Sequence, residues 1–376
     1  MVKNDEEMIV TPWTVSGRID YSRLIEEFGT QPITEELLKR IEKHTGDLHL
    51  QLRRGIFFSH RDLDWILDMY ESGLKFYLYT GRGPSGPVHI GHMVPWIFTK
   101  YLQEKFDVKL LFQMTDDEKF LFHPEFELSD TTRFAYDNAL DVIAIGFDPE
   151  KTKIIMDVKD SGLLYKLAVQ IAKRVTFSTV KATFGFTESS NIGLIFFPAI
   201  QAAPAFLESE LSGRNTPCLI PAAIDQDPYW RVTRDVAPKL GYFKPAQIHS
   251  KFLPGLGKGG KMSASMPETC IFATDTPEAA QHKLWNAFTG GKPTVEEQRK
   301  HGGDPFICPI YYYDYYLFEE DDKKLEETCL RCRNGDLLCG EHKMALAEKV
   351  KKFLKEHQKK REKAKDELNE FLFNND

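Results

Sequence analysis

An α/β fold with a parallel sheet, followed by a separate helical domain, is what this sequence predicts. Residues 76–115 run strand, glycine-rich loop, helix, strand, which is a βαβ unit. Further buried-strand candidates at 153–156 and 218–223 alternate with helical stretches such as 163–175. Beyond about residue 275 the texture turns helix-rich and charged through to the end.

The elements follow in order. The first 75 or so residues read as an appended module with an extended start at 9–15 and helical periodicity at 21–28 and 34–42. Thr34 suits the N-cap of the second helix, which carries Leu37, Leu38 and Ile41 on one face. Residues 76–80 (FYLYT) are a short β-rich run ending in a glycine and proline cluster at 81–87, too broken for any regular element. Helical periodicity resumes over 88–106, and 108–115 reads as the next buried strand. A tyrosine-dense stretch at 311–316 and a lysine-rich tail belong to the C-terminal helical part. No repeat at solenoid periods is present.

Composition bounds the function. The chain has 376 residues, 42% hydrophobic and 28% charged, as expected of two or three ordinary globular domains. Its longest apolar stretch, 192–200, falls short of the roughly 18 residues of a spanning helix, and the charged start does not suit a signal peptide, so neither a membrane nor secretion is expected. With 49 Lys and Arg against 56 Asp and Glu, the net charge of -7 excludes polyanion binding through bulk charge; any nucleic-acid contact must be local. Six cysteines, mostly C-terminal, are too few for a disulfide framework and point to a reducing cytoplasmic setting.

Two motifs carry chemistry. His89-Ile90-Gly91-His92 sits at a predicted helix N-terminus, where backbone N–H groups and the helix dipole attract anions and two imidazoles add donors for phosphate oxygens. Gly91 lets a flat base lie against the backbone. Taken alone, the same residues also fit two surface histidines beside a turn. Lys261-Met262-Ser263-Ala264-Ser265 follows a glycine-rich run at 255–260. A mobile loop delivering one lysine suits a group that closes over a triphosphate and follows charge onto departing pyrophosphate, although a flexible basic surface loop has the same composition. Together and in this order, the two are the paired signatures of class I aminoacyl-tRNA synthetases.

The runs TGRGPSGPVHIGH, QMTDDEK, FPAIQAAP, AIDQDPYWRVTRDVAP and KMSAS, between Thr80 and Ser265, closely resemble tryptophanyl-tRNA synthetases of the eukaryotic cytosolic type. The resemblance implies an N-terminal extension (1–75), a Rossmann-like catalytic domain (76–275) with an inserted dimerisation segment (about 123–205), and a helical anticodon-binding domain (276–376), in a homodimer acting on L-tryptophan, ATP with Mg2+ and the tryptophan tRNA. It implies that Tyr79 and Gln113 meet the indole N–H, and that Glu118, Gln201 and Gln226 meet the substrate α-ammonium. His89 and His92 would attend the ATP phosphates and Lys261 the β and γ phosphates, with Gly91 under the adenine. Ser263, Ser265 and, in the preceding loop, Arg82 complete the ATP set. The family's K-M-S-K-S has Ala264 here, which places extra weight on Lys261 and on Lys258.

Elementary chemistry agrees. Indole is a large apolar plate with one donor and no acceptor, so its selection needs an apolar slot and one placed acceptor. A site built to bond that N–H rejects phenylalanine, because its buried acceptor is then left unpaired. Gln113, Gln201 and Tyr79 also fit satisfied polar or aromatic core positions, and Asp116 and Asp117 fit a helix N-terminal pair. The implied reaction needs no protein nucleophile: the tryptophan carboxylate attacks the α-phosphorus in line, and the tRNA terminus then takes the acyl group. A tyrosyl-tRNA synthetase, a small-molecule nucleotidyltransferase and a non-catalytic synthetase derivative are the competing readings.

The C-terminal part leaves two questions. Residues 343–365 hold ten Lys or Arg against three Glu, a local charge of +7 that suits a tRNA backbone or a solvated helix face, with Val350, Phe353 and Leu354 on its buried side. Cys329, Cys332, Cys339 and His342 have ligand types and spacing compatible with zinc, and equally with buried free cysteines on a helical hairpin, which is the reading preferred.

Overall fold

The computed structural model describes residues 8–11, 15, 16, 19–259, 262 and 266–373. Its centre is a seven-stranded sheet built from β1 (Gln31–Pro32), β2 (Phe57–Arg61), β3 (Tyr77–Arg82), β4 (Leu110–Met114), β5 (Thr152–Met156), β6 (Cys218–Ala223) and β7 (Ala246–Ser250). The spatial order is β1-β2-β7-β6-β3-β4-β5. Strands β3 to β7 run parallel, while β1 and β2 pair antiparallel at one edge. The expected α/β sheet is thus present. Strands β3, β4, β5 and β6 and the first crossover helix fall within a few residues of their sequence positions. Residues 21–28 and 35–45 are helical, and the Thr34 side chain accepts from the Leu37 N–H as an N-cap does.

Helices cover both faces. After α1 (Ile90–Phe106) come α2 (Asp116–Phe122), α3 (Leu128–Ile145), α4 (Ser161–Ala172), α5 (Ile192–Ala202), α6 (Asp227–Leu240) and, closing the chain, α7 (Cys339–Phe371). Alternation along the strands sends Tyr77 and Tyr79 into one core layer with Leu111, Ile155 and Ile220. Leu78 points the other way, into a layer with Phe112, Ile154 and Trp96. Strands buried on both faces read as near-continuous apolar runs, which is why these were visible in the sequence. No single helix among the described residues is long and apolar enough to cross a membrane.

The terminal segments are joined to this sheet. Residues of the N-terminal segment supply β1 and β2. From the other end, α7 packs on α3, where the buried Asp141 carboxylate meets His357 at 2.9 Å and Arg361 at 3.1 Å. Leu372 then forms a parallel bridge to Ile154 at the β5 edge.

A fully buried histidine fastens β2 to β7. His249 Nε2 lies 2.8 Å from Gln247 Oε1 and Nδ1 lies 3.0 Å from Ser59 Oγ. The ring therefore donates through Nε2, accepts at Nδ1 and is neutral. Burial pulls its pKa from 6.5 down to about 4, with the Asp227 carboxylate opposing the shift. The unfolded chain takes up a proton here below its ordinary pKa and the folded one does not, so this contribution to stability is complete above pH 6.5 and is lost as pH falls toward 4. Stability measured by urea unfolding is expected to drop over that window, with this group adding a slope approaching about 1.4 kcal/mol per pH unit. His249→Gln should flatten the slope.

Candidate active site

The parallel strands change their direction of travel across the sheet between β3 and β6, and a crevice opens at their carboxyl ends, where open α/β sheets bind ligands. It is a cleft of about 630 Å³. Of the expected residues it brings together Tyr79, Arg82, His89, Gly91, His92, Gln113, Glu118, Gln201 and Gln226. Lys261, Ser263 and Ser265 lie outside the described residues. Met262, between them, is buried and lines the same cleft.

The loop bearing Met262 is tied to the first βα turn by backbone. The Ile90 N–H donates to the Ile271 carbonyl at 3.0 Å, and the Ala273 N–H donates to the Val88 carbonyl at 2.8 Å. Upstream, Met262 N–H donates to the Leu253 carbonyl at 3.2 Å, and Leu256 N–H to the Thr269 carbonyl at 2.9 Å. Gly91 is where the two segments touch. A Cβ there would stand 3.0 Å from His89 Nδ1 and 3.5 Å from Met262 Sδ. Any larger residue would press on the His89 ring at this point.

His89 caps α1 and stacks on His92 with ring centroids 3.4 Å apart. The His89 backbone N–H donates to His92 Nδ1 at 3.2 Å. That bond makes Nδ1 of His92 the acceptor and leaves its proton on Nε2, a donor suited to an oxyanion. Arg82, at the end of β3, has its pKa lowered by desolvation to about 10, with Glu118 and Asp141 opposing the shift, so it remains a cation at neutral pH. Gly83 admits the neighbouring helix: a Cβ there would meet Lys119 Cε at 2.2 Å and Glu118 Oε2 at 2.9 Å.

At the far end of the cleft two carbonyl oxygens face one hydroxyl. The Tyr79 hydroxyl touches Gln113 Oε1 and lies 2.7 Å from the Gln201 carbonyl. Burial raises its pKa well above 10, so it keeps its proton, but one proton cannot serve two acceptors. Gln113 Nε2 is meanwhile 2.9 Å from each oxygen of Asp157. Trp230 packs edge-on to Tyr79 with centroids 5.2 Å apart, adding an apolar wall. Gln201 therefore meets this end through its backbone carbonyl, beside its place in the cleft lining.

Acidic groups surround the base of α2. Glu118 accepts from Thr115 Oγ1 at 2.9 Å and from Lys119 Nζ at 3.1 Å. Asp116 is structural: it accepts from the Val158 N–H at 3.1 Å and from Thr132 Oγ1 at 3.2 Å, joining α2 to α3 and the end of β5. Asp117 accepts from the Glu118 N–H at 2.7 Å and shares a hydrogen bond with Asp157. Burial raises the pKa of both Asp117 and Asp157, with repulsion from Asp117 adding to it at Asp157 and from Asp116 and Glu118 at Asp117, so the pair retains a proton. Sequence reasoning missed Thr115, Lys119, Asp157, Asp225 and Trp230. Asp157 carried one signal, an acid immediately after a buried strand.

The cysteine segment is arranged differently from its sequence spacing. Cys332, Cys339 and His342 line a small apolar cavity with Cys308, not Cys329. His342 Nε2 is 3.0 Å from Asp314 Oδ2. Among the described residues no group of three or more His, Cys, Asp or Glu side chains is arranged to hold a metal ion.

Residues 72–355 match the family model for class I tRNA synthetases of the W and Y type. The chain is 54% identical over 367 residues to the tryptophan–tRNA ligase of Pyrobaculum calidifontis, covering 98% of both chains. It is 56% identical over 372 residues to that of Pyrococcus furiosus, covering 98% of this chain and 95% of the relative. The solved tryptophanyl-tRNA synthetase of Plasmodium falciparum superposes with a TM-score of 0.89 at 42% identity, over 94% of this chain and 97% of that one.

Proposed function

The chain belongs to the class I tRNA synthetases for tryptophan and tyrosine, its activity is the ATP-dependent ligation of tryptophan to tRNA, and we propose an assignment of that chemistry to the residues of the cleft. The observation that carries it lies at the far end: the Gln113 Oε1 and Gln201 carbonyl oxygens share the single Tyr79 hydroxyl proton, which leaves acceptor capacity open to one N–H donor. Indole supplies that donor on an apolar plate, and the edge of Trp230 against Tyr79 suits the plate. The α-ammonium lies toward Glu118, with Gln201 and Gln226 as further acceptors.

The nucleotide takes the opposite end. Mg-ATP is the substrate; His89 and the Nε2–H of His92 attend its phosphates, Gly91 borders the adenine, and Arg82 adds a fixed cation. Lys261, with Ser263 and Ser265 beside it, closes over the β and γ phosphates. The tryptophan carboxylate attacks the α-phosphorus in line, pyrophosphate leaves, and the ribose hydroxyl of the tRNA terminus then displaces AMP. Each step needs positioning and charge stabilisation, with no protein nucleophile.

The exposed side chains of Tyr165 and Val169, one turn apart on α4, and of Ile192, on the helix packed against it, support a homodimer through the inserted segment 123–205. The C-terminal segment from residue 276, mostly helical among its described residues, is the tRNA-reading part. On α7, Lys343, Lys349 and Arg361 are spent on internal partners. Lys352, Lys355, Lys359, Lys360 and Lys363 are exposed and make no ion pair among the described residues, so they offer a row of charge to a phosphate backbone. Six free cysteines fit action in the reducing cytoplasm.

In pyrophosphate exchange tested against each amino acid, tryptophan alone should support turnover; exchange with tyrosine would favour the other branch of the family. Lys261→Ala is expected to lower kcat for adenylate formation by around 100-fold, as for loss of one transition-state donor. A raised KM for ATP with kcat intact would contradict the role given to Lys261. Val169→Glu combined with Ile192→Glu should convert the dimer to a monomer in size-exclusion light scattering, and an unchanged mass would remove this face from the interface.

A further inference from the structure

The indole reading leaves one matter open. A glutamine side chain has two ends of nearly the same shape, one donating and one accepting, and the cleft surface itself does not distinguish them. If the Gln113 amide turned over, the slot would present an NH2 group to the indole N–H, donor against donor.

The surroundings of Gln113 decide which end faces inward. Gln113 is buried at the carboxyl end of β4. On one side stands Asp157, also buried, with both oxygens 2.9 Å from Nε2. Both oxygens accept from Nε2, and the proton that the acid pair retains belongs to the contact with Asp117, so the NH2 end of Gln113 faces Asp157. Asp157 is itself held in place, since its backbone N–H donates to the Met114 carbonyl at 3.1 Å and extends the β4–β5 register by one bond. Its carboxyl also shares a hydrogen bond with Asp117 on α2. A proton retained between the two acids lies on that contact, leaving Asp157 an acceptor toward Gln113.

We propose that Asp157 is a positioning residue that fixes the Gln113 amide with its oxygen toward the slot, and so makes the slot select an aromatic ring bearing an N–H donor over an isosteric ring without one. The proposal rests on the reading that this slot takes the indole. Asp157 does not touch substrate in it and acts only through Gln113. An asparagine at 157 offers both a donor and an acceptor to Gln113, so either orientation of the Gln113 amide is satisfied and the selection lapses.

The test compares two substrates in pyrophosphate exchange with the full chain: L-tryptophan and L-3-benzothienylalanine, in which sulfur replaces the ring N–H. For Asp157→Asn, the ratio of kcat/KM values for the two should fall by about 10- to 100-fold, the worth of one buried hydrogen bond whose partner is no longer held. The fall should come from tryptophan, with the benzothienyl substrate little changed. An equal loss on both substrates, or an unchanged ratio, overturns the proposal. Asp157→Ser, whose hydroxyl also donates and accepts, should give the same fall and serves if the asparagine variant does not fold. Gln113→Met separates the two readings. If it abolishes the discrimination while both Asp157 variants keep it, the slot assignment stands and Asp157 has no such role. If Gln113→Met keeps the discrimination, the slot assignment fails and the proposal with it.

Discussion

The divergence of β3 and β6 is the constraint on which the site depends. Successive crossovers carry the chain one way from β3 through β4 to β5, and then back across the sheet to β6 and β7. Helices leave the two central strands on opposite faces, so no backbone fills the space beyond their carboxyl ends. The His89–His92 turn follows β3, Gln226 follows β6, and Glu118 follows β4. Residues scattered over some 150 positions of sequence converge because they share that one rim.

The cleft carries both signs of charge: Glu118 and Asp225 line it together with His89, His92, Arg82 and Lys251. Under the proposed assignment, a substrate ammonium and substrate phosphates each find groups of opposite sign in that crevice. A chain of net charge -7 thus keeps positive groups where the proposal needs them. The field that matters is local and is produced by a handful of side chains fixed by the fold. Lys251 illustrates the fixing: it lies over the rings of Tyr21 and Phe58 at 5.4 and 5.8 Å, held by aromatic faces from the N-terminal segment.

Much of this was legible in the sequence because the parallel strands are apolar on both faces and the phosphate turn is punctuated by glycine and proline. What stayed hidden was long-range polar pairing. Strand β2 (Phe57–Arg61) escaped notice because Ser59, His60 and Arg61 look like loop residues; in the fold they are satisfied by His249, by the Leu63 N–H and by Asp227 respectively. Asp157 escaped for the same reason: its meaning lies in Gln113, 44 residues earlier. Resemblance supplied the expected ligand residues, but the partners that orient them are visible only in three dimensions. The cysteine spacing misled in the other direction, since Cys308, remote in sequence, stands in the cluster where Cys329 was expected.

The bridge from Leu372 to Ile154, reinforced by Lys153 Nζ donating to the Glu370 carbonyl at 2.6 Å, has a consequence for biogenesis. During synthesis β5 leaves the ribosome more than two hundred residues before the segment that covers its outer edge. Vectorial folding from the N-terminus cannot therefore finish this edge, and a nascent chain leaves the outer side of β5 without that contact until residue 372 has been made. Loss of the final turn of α7 would act on the catalytic sheet as an uncovered edge, with self-association in the cell as the expected phenotype, even though no residue of the cleft had changed.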